Sequence, residues 1–521
     1  MSRTNRAASG FLTSLLQYAT QILVQVLLAP VVLRLAGREA LGAFAAIMQT
    51  LTFLGLVDIV HSWTLERFLA QSAGMDDGGA RFRKVFTTAR TLILISNSVF
   101  ALLVLGFSTC VAWLFSLSPA IASQAQDALY VIAAWAVLRT PLAAYLNASV
   151  ATQDMAATNM IGALLGVSRT LASLLFVLTG AGLLGLMLAG TVVEACGSFL
   201  YRVRFKRRNP DLMPGWGIPD KPLLREMLGF GGHAMFLNIG NMLVFNSGNT
   251  IAGMTNGAAM ASVFYTSQMP TMTAYNMVLR LADSAMPGIN DIFGRGDLQR
   301  LKHAIARLVR FMLMLAAPLA LGVWLFNRDL VVTWVGEDQY AGALLTDTLA
   351  VFCVTLVVQR VAIVCAFVCG WMRLLTATAI VQGIAHFSLA FYLGKTLGLG
   401  GITLSLLAVT LPQIVVLWRK ASQTLGLNVL GVAAECAWRL LLPLLCAGAA
   451  GLTVHSLVSI QPKHYSALLT ELAAFALTYG ALAYFTVPGE DRKDLNAYLK
   501  GFTDRGLKAT RALTRAFGGA G

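Results

Sequence analysis

Long apolar runs recur along the chain and are separated by short polar segments. Each run covers about 20 residues or more, enough for an α-helix to cross the roughly 30 Å hydrocarbon core of a bilayer. The predicted spans are about 11–35, 41–70, 86–115, 127–150, 159–179, 182–201, 230–253, 259–288, 304–326, 342–369, 374–394, 399–418, 430–456 and 466–487. This pattern predicts an all-α integral membrane protein with about fourteen transmembrane helices.

The main polar interruption is Tyr201–Arg225, which divides the spans into two groups. It holds a basic run followed by four prolines, so it cannot form a continuous membrane helix. We therefore predict two six-helix halves around a central cavity, joined by a cytoplasmic hinge and followed by two further helices and an amphipathic basic tail. The predicted segments are 1–201 for the first half, 202–229 for the hinge, 230–420 for the second half, 430–487 for the two additional helices and 488–521 for the tail.

The distribution of Lys and Arg predicts the orientation. If the amino terminus is cytoplasmic, the segments predicted to lie inside hold 28 of the 39 Lys and Arg residues, and the outside ends hold five. Positive charge concentrates on the cytoplasmic side of membrane proteins, so a wrong number of spans would scramble this asymmetry. We predict a multi-pass protein of the bacterial inner membrane with both termini cytoplasmic, a retained first span, and a basic tail lying on anionic membrane lipids.

Composition narrows the functional classes. Charged residues make up 12% and hydrophobic residues 57% of the 521 residues, whereas soluble domains average about 25% charged. Because the net charge of +15 arises mainly from segments that flank spans, we predict no nucleic-acid partner. The seven cysteines include no Cys-x-x-Cys pair, so we predict no disulfide framework, no metal site and no cofactor.

Four arginines within predicted spans are candidate substrate-binding cations. They are Arg139, Arg169, Arg280 and Arg360. A central arginine costs roughly 2.5–3.5 kcal/mol on insertion scales, so such a residue faces a water-filled cavity, a counter-ion or an anionic ligand. The alternative to a cavity is pairing with Asp58, Asp154 or Asp283, or extension towards a head group. Arg139 and Arg169 have no acid at facing spacing on their own spans, which favours the cavity for these two.

Polar side chains recur at helical spacing on the first and seventh spans. The members are Ser14, Gln17, Gln21 and Gln25 on the first span, and His233, Asn238, Asn241, Asn246 and Asn249 on the seventh. Intervals of three and four place side chains on one helix face, where amides suit the hydroxyls of a sugar. The alternative is hydrogen bonding between helices. Asp58, His61 and Asp283 are candidates for carrying a coupling ion.

Two short segments relate the predicted halves to each other and to a known family. Leu35–Gln49 and Met254–Gln268 are rich in small residues and place a glutamine at the same depth of the following span, as parallel repeats would. Ala29–Phe44, APVVLRLAGREALGAF, resembles the first-loop pattern of the polysaccharide-transport (Wzx-type) branch of the multidrug/oligosaccharidyl-lipid/polysaccharide (MOP) flippase superfamily. That branch also has twelve spans plus two. The sequence has Ala36 where the family usually has leucine, and it lacks the tyrosine common near Phe44.

This resemblance implies an alternating-access carrier for a lipid-linked oligosaccharide, and we expect no enzymatic activity. We expect a monomer that delivers its substrate to a polysaccharide polymerase or export machinery. One alternative is a cation-coupled, MATE-like multidrug antiporter of the same superfamily; those usually carry an acidic residue in span one, and 11–35 contains none. Another is a membrane glycosyltransferase or polymerase, which generally needs a sizeable loop bearing carboxylates, whereas the predicted outside turns are short.

Overall fold

A computed structural model describes residues 26–57, 62–73, 75, 77–215, 217–458, 465–486 and 492, and within these ranges all regular structure is helical. The first helices are α1 (Val26–Leu35), α2 (Gly37–Leu54), α3 (Ser62–Ala73), α4 (Ala80–Leu114), α5 (Pro119–Leu138), α6 (Tyr145–Ala151), α7 (Met155–Leu178), α8 (Gly182–Arg208) and α9 (Lys221–Phe245). The remaining helices are α10 (Gly248–Asn256), α11 (Ala258–Gly294), α12 (Leu298–Val335), α13 (Ala343–Val368), α14 (Met372–Thr396), α15 (Leu399–Leu425), α16 (Val429–Val458) and α17 (Tyr465–Thr486). Short 3₁₀ turns occur at Gly55–Val57, Pro210–Leu212 and Glu337–Gln339.

The helices confirm the predicted fold class. Among the described residues, 11 helices are long and apolar enough to cross a membrane, and α9 and α11 continue for 25 and 37 residues. Each predicted span from the second onward contains a described helix, and the first span is described only from Val26. The chain is therefore a multi-pass, all-α membrane protein.

The fourth and seventh predicted spans are each divided into a pair of helices. The fourth span stops at Leu138 and resumes at Tyr145, and the intervening turn contains Pro141, which lacks an N–H and cannot continue the hydrogen-bond ladder. The seventh span breaks after Phe245 and resumes at Gly248. Asn246 and Ser247 lie at that break, and side chains of these types compete with the helix for backbone hydrogen bonds.

The predicted hinge is more helical than its sequence suggested. The basic run forms the last two turns of α8, which ends at Arg208, and α9 begins at Lys221. Lys and Arg are good helix formers and are favoured near a helix C-terminus, so the helix persists until Pro210 stops it. Asp220 caps α9, because its carboxylate accepts a hydrogen bond of 2.8 Å from the N–H of Leu223.

The non-helical part of the hinge is fixed against the start of α4. Lys84 Nζ lies 2.5 Å from the Asp220 carboxylate, and Arg83 donates a 2.6 Å hydrogen bond to the carbonyl of Asp211. The hydrogen bond from Lys84, assisted by the N–H of Leu223, lowers the pKa of Asp220 below its ordinary value. Phe205 of α8 stacks on Phe82 of α4 with ring centroids 6.0 Å apart, so apolar packing reinforces these polar contacts.

The chain packs as two compact units. The first covers the chain up to Thr273 together with Asn327–Leu349 and Trp371–Gln413. The second comprises Ala274–Phe326, Ala350–Gly370 and the chain from Ile414 onward, with a core around Phe326, Phe475 and Tyr479. Since the boundaries fall inside α11, α12, α13 and α15, the units do not follow the predicted halves. The division into six-helix halves therefore stays a prediction.

Candidate functional site

The first unit contains an open cavity of about 680 Å³ that brings two of the predicted arginines together. Its wall is formed by parts of α1, α2, α4, α6, α7, α8 and α11 and by the turn between α5 and α6, and most lining side chains are apolar. Arg139, Arg169 and Glu194 supply its charged groups. A second cavity of about 370 Å³ is lined by the same three residues, so they belong to both spaces.

Arg139 occupies the C-terminal cap of α5, where the span breaks. Its backbone N–H donates a 2.9 Å hydrogen bond to the carbonyl of Trp135. The carbonyl groups at a helix C-terminus carry partial negative charge and favour a cation there. The guanidinium donates through Nη1 to Oε1 of Glu194 on α8, and the two side chains are 33% and 40% exposed. Arg139 is thus held by a helix end and by one carboxylate.

Arg169 lies in the middle of α7 and has a different environment. A Cβ atom placed on Gly190 would lie 3.7 Å from its Nε, so the guanidinium rests against the backbone of α8 one turn from Glu194. The side chain is exposed within the structure and forms no ion pair with any other residue in the described ranges. With Glu194 balancing Arg139, the described charged side chains of the cavity leave one net positive charge.

Two buried hydrogen-bond donors beside the smaller cavity have no acceptor among the described residues. They are Nε of Arg139 and Nε1 of Trp135, and both residues line the smaller cavity. Buried polar atoms are nearly always hydrogen-bonded, so an unpaired donor needs an explanation. An anionic ligand between the cavities would supply acceptors to these donors and to Arg169.

The other two candidate arginines lie elsewhere. In the second unit, Arg360 on α13 donates through Nη2 to Oδ1 of Asp283 on α11. Asp283 lies one turn from Arg280 on the same helix, but its described ion pair is with Arg360. Arg280 lies in α11, and its side chain lies outside the described residues. Arg360 does not line either of the two cavities.

The polar stripes are only partly described. Gln17, Gln21 and Gln25 lie outside the described residues, as do the coupling candidates Asp58 and His61. Asn238 and Asn241 lie on α9, are half-buried and do not line either cavity, so their role as sugar contacts stays a prediction.

Asn249 belongs to a set of hydrogen bonds between helices. Its backbone N–H donates a 2.6 Å bond to Oε1 of Gln49, and its Oδ1 accepts a 3.2 Å bond from Nε2 of Gln268. Asn249 is buried, with 8% of its surface exposed. The two glutamines that the sequence placed at equivalent depth therefore meet on one residue, and for Asn249 the interpretation as helix packing is correct.

Sequence reasoning missed Glu194. The partner of Arg139 is neither an acid on its own span nor one of the three candidate aspartates, because it comes from α8. The available signal was an ionisable residue inside an apolar run, since Glu194 is the sole acid of the span predicted at 182–201. Such a residue is by default a functional candidate with a partner nearby.

Comparisons with known proteins agree with this fold. Residues 31–344 match the sequence profile of the polysaccharide biosynthesis protein family. The structure matches the lipid II flippase MurJ in an inward closed conformation with a TM-score of 0.67 and 12% identity, covering 92% of this chain and 98% of that one. It matches an inward-facing MATE-family multidrug resistance transporter of the MOP superfamily with a TM-score of 0.64 and 14% identity, covering 79% and 98%.

A further match is a MOP superfamily transporter from Pyrococcus furiosus whose binding pocket is described as having reverse polarity. Its TM-score is 0.58 at 16% identity, with 81% of this chain and 95% of that chain covered. Identities this low establish a shared fold and nothing finer. No curated protein sequence matches the chain.

Proposed function

Because the chain belongs to the polysaccharide biosynthesis protein family and has the fold of MOP-superfamily transporters, we propose that it is a flippase for a lipid-pyrophosphate-linked oligosaccharide. It moves this substrate across the bacterial inner membrane by alternating access, with both termini in the cytoplasm. The exported glycan is then used by a polysaccharide polymerase or export machinery.

The placement of Arg139 and Arg169 on one cavity is the observation that carries this proposal. A guanidinium forms two parallel hydrogen bonds with phosphate oxygens, and such charge-assisted bonds are about twice as strong as neutral ones. The cavity volume of about 680 Å³ lies within the roughly 300–1,000 Å³ range of ligand pockets. It suits a pyrophosphate with its first sugars, and its apolar wall suits the adjoining lipid.

The test compares Arg139→Ala and Arg169→Ala in a strain that depends on this protein for glycan export. Hydrogen bonds to charged groups contribute about 1.5–3 kcal/mol, so each variant should lower export at least tenfold per membrane-inserted molecule. Lysine at either site should retain part of the activity, because it keeps the positive charge but cannot form the two parallel hydrogen bonds of a guanidinium. Export is measured as surface glycan, normalised to inserted protein.

Arg439→Ala is the matched control. Arg439 is also an arginine of an apolar helix, but it pairs with Glu435 on its own α16, with 43% and 46% of the two side chains exposed. The Arg439→Ala variant should export glycan at the native level. Normal export by both cavity variants would contradict the proposal.

Glu194 favours a second candidate function, a cation-coupled multidrug antiporter. A carboxylate that lines both cavities is a group that a cationic drug or a coupling ion would use. An antiporter predicts that Glu194→Gln abolishes efflux of cationic dyes while the arginine variants preserve it. The flippase proposal predicts the reverse dependence on the arginines.

A further inference from the structure

We infer that Glu194 is an exchangeable internal counter-ion, which holds Arg139 while the site is empty and is displaced from it by the substrate's phosphate. This inference rests on the proposed function and names the residue that sets the affinity and specificity of the same site.

The two arginines differ in a way that matters for binding. Arg139 forms an ion pair with Glu194, whereas Arg169 has no ion-pair partner among the described residues. The guanidinium of Arg169 lies against Gly190 of α8, which is one helical turn before Glu194. A single phosphate can therefore bind Arg169 without displacing another group. A pyrophosphate, which has two adjacent phosphoryl groups, reaches the second guanidinium only if Glu194 leaves it.

The geometry allows this exchange. Glu194 is 40% exposed, so a released carboxylate can be solvated through the cavity instead of being stranded in an apolar wall. Arg139 contacts Glu194 through Nη1, while its buried Nε has no acceptor among the described residues. The Arg139 side chain is 33% exposed, so its other guanidinium N–H groups can donate to a phosphate oxygen before the contact at Nη1 opens, and the charge of Arg139 stays compensated throughout.

The exchange also explains why a carrier would keep an acid in a phosphate site. Transport requires release on the far side, and a site with two unopposed arginines would bind a doubly charged ligand more tightly and release it more slowly. Competition from Glu194 weakens the complex by the free energy of the ion pair that the ligand must replace. It also favours diphosphates over monophosphates, because only a diphosphate gains a second arginine in return.

The experiment measures binding of inorganic pyrophosphate to the purified full-length protein in nanodiscs of zwitterionic lipid by titration calorimetry. Glu194→Gln should bind about tenfold more tightly than the native protein, a difference of about 1.4 kcal/mol. It should also turn over more slowly in export. Arg139→Ala should bind more weakly, and adding Glu194→Gln to Arg139→Ala should strengthen binding by clearly less than tenfold, since only the repulsion between the carboxylate and the phosphate is then removed and no ion pair with Arg139 is left to open. Glu435→Gln, in the α16 pair, should bind as the native protein does.

Each outcome separates the inference from the function on which it rests. If the native protein binds pyrophosphate and Glu194→Gln binds equally or less tightly, the exchange is wrong and the flippase proposal stands. If the native protein binds no pyrophosphate, the proposed function fails and this inference fails with it. If Glu194→Gln does not fold, Glu194→Asp provides the comparison, because its shorter carboxylate reaches Arg139 less well and should strengthen binding by a smaller factor.

Discussion

At the residue scale, two arginines of the hinge have a partner within the protein. Asp154, at the start of α7, has only 6% of its side chain exposed and receives Arg204 at 2.9 Å and a second contact from Arg208. A buried carboxylate is costly unless it is paired, and removal of one partner of a buried ion pair costs more than an exposed pair contributes. Arg204 and Arg208 therefore anchor α8 to the junction of α6 and α7.

This anchor makes a stability prediction. Asp154→Asn should lower the free energy of unfolding by about 2 kcal/mol, a value between those for exposed and buried pairs because both arginines are half-exposed. The measurement is thermal unfolding in detergent followed by tryptophan fluorescence. Asp211→Asn, an exposed carboxylate in the same hinge, should change stability by less than about 0.5 kcal/mol. Equal melting temperatures for the two variants would contradict the anchor.

The arginines of the site show how far single residues can be interpreted from sequence. Arg139 and Arg169 stood out because a charge inside an apolar run is expensive, and that reasoning needs no knowledge of the fold. Glu194 was equally visible as a charge, but its assignment to Arg139 depends on how α8 packs beside the end of α5. A partner on another helix has no fixed sequence spacing, so the sequence alone cannot assign it.

At the scale of elements, the positions of helices follow from apolar length, whereas the breaks within spans do not. Runs of about 20 apolar residues specify that a helix crosses the bilayer, and the described helices follow those runs. The break at Asn246 and Ser247 depends instead on tertiary contacts. Here α10 is held by Gln49 of α2, which accepts the N–H groups of Asn249 and Thr250. These contacts offset the hydrogen bonds that the broken helix loses.

The motif Ala29–Phe44 also acquires a structural reason. A Cβ atom on Gly42 would lie 1.7 Å from the carbonyl oxygen of Ala258, so only glycine allows α2 to pass the start of α11 this closely. Both positions lie in the two segments that the sequence identified as similar. The contact joins the predicted halves within the first unit.

The turn between α12 and α13 packs against α11 in the first unit. The sequence predicts that this turn lies outside the membrane. Gln339 is 2% exposed. Its Oε1 accepts a 3.1 Å hydrogen bond from Ser262, and its backbone carbonyl accepts a 2.8 Å bond from Ser267. Both hydroxyl residues are fully buried on α11. Gln339 therefore fixes the turn to α11, because moving the turn away would break these hydrogen bonds and expose the buried hydroxyls.

Gln339→Ala should weaken the attachment of this turn to α11, because it removes the hydrogen bond from Ser262. The reporter is Val263→Cys, a buried position beside the hydroxyls, in a background lacking the seven native cysteines. Its labelling by a membrane-impermeant thiol reagent added from outside should rise at least several-fold, since each lost hydrogen bond contributes about 0.5–1.5 kcal/mol. Glu337→Gln removes only the exposed pair with Arg328 and should leave labelling unchanged. Equal labelling in both variants would mean that Gln339 does not fix this turn to α11.

At the scale of the whole molecule, hydropathy predicts the class of protein, charge predicts the orientation, and the proposed substrate rests on one cavity. Apolar runs predicted the all-α membrane fold that the structure confirms, and the excess of Lys and Arg in alternate turns predicted an orientation that stays a prediction. The division into two compact units was not predictable, because it arises from contacts between distant helix segments and cuts through α11, α12, α13 and α15. The cavity likewise needed the packing of several helices before its arginines could be joined.

We propose that a lipid-linked pyrophosphate crosses the membrane through the cavity that holds Arg139 and Arg169. The direct test reconstitutes the purified protein in liposomes with a fluorescently labelled lipid-pyrophosphate disaccharide and adds a membrane-impermeant quencher. Native protein should bring the label of the inner leaflet within reach of the quencher, and Arg439→Ala should do the same. The Arg139→Ala, Arg169→Ala double variant should protect that label as empty liposomes do. Undiminished quenching by the folded double variant would contradict the account.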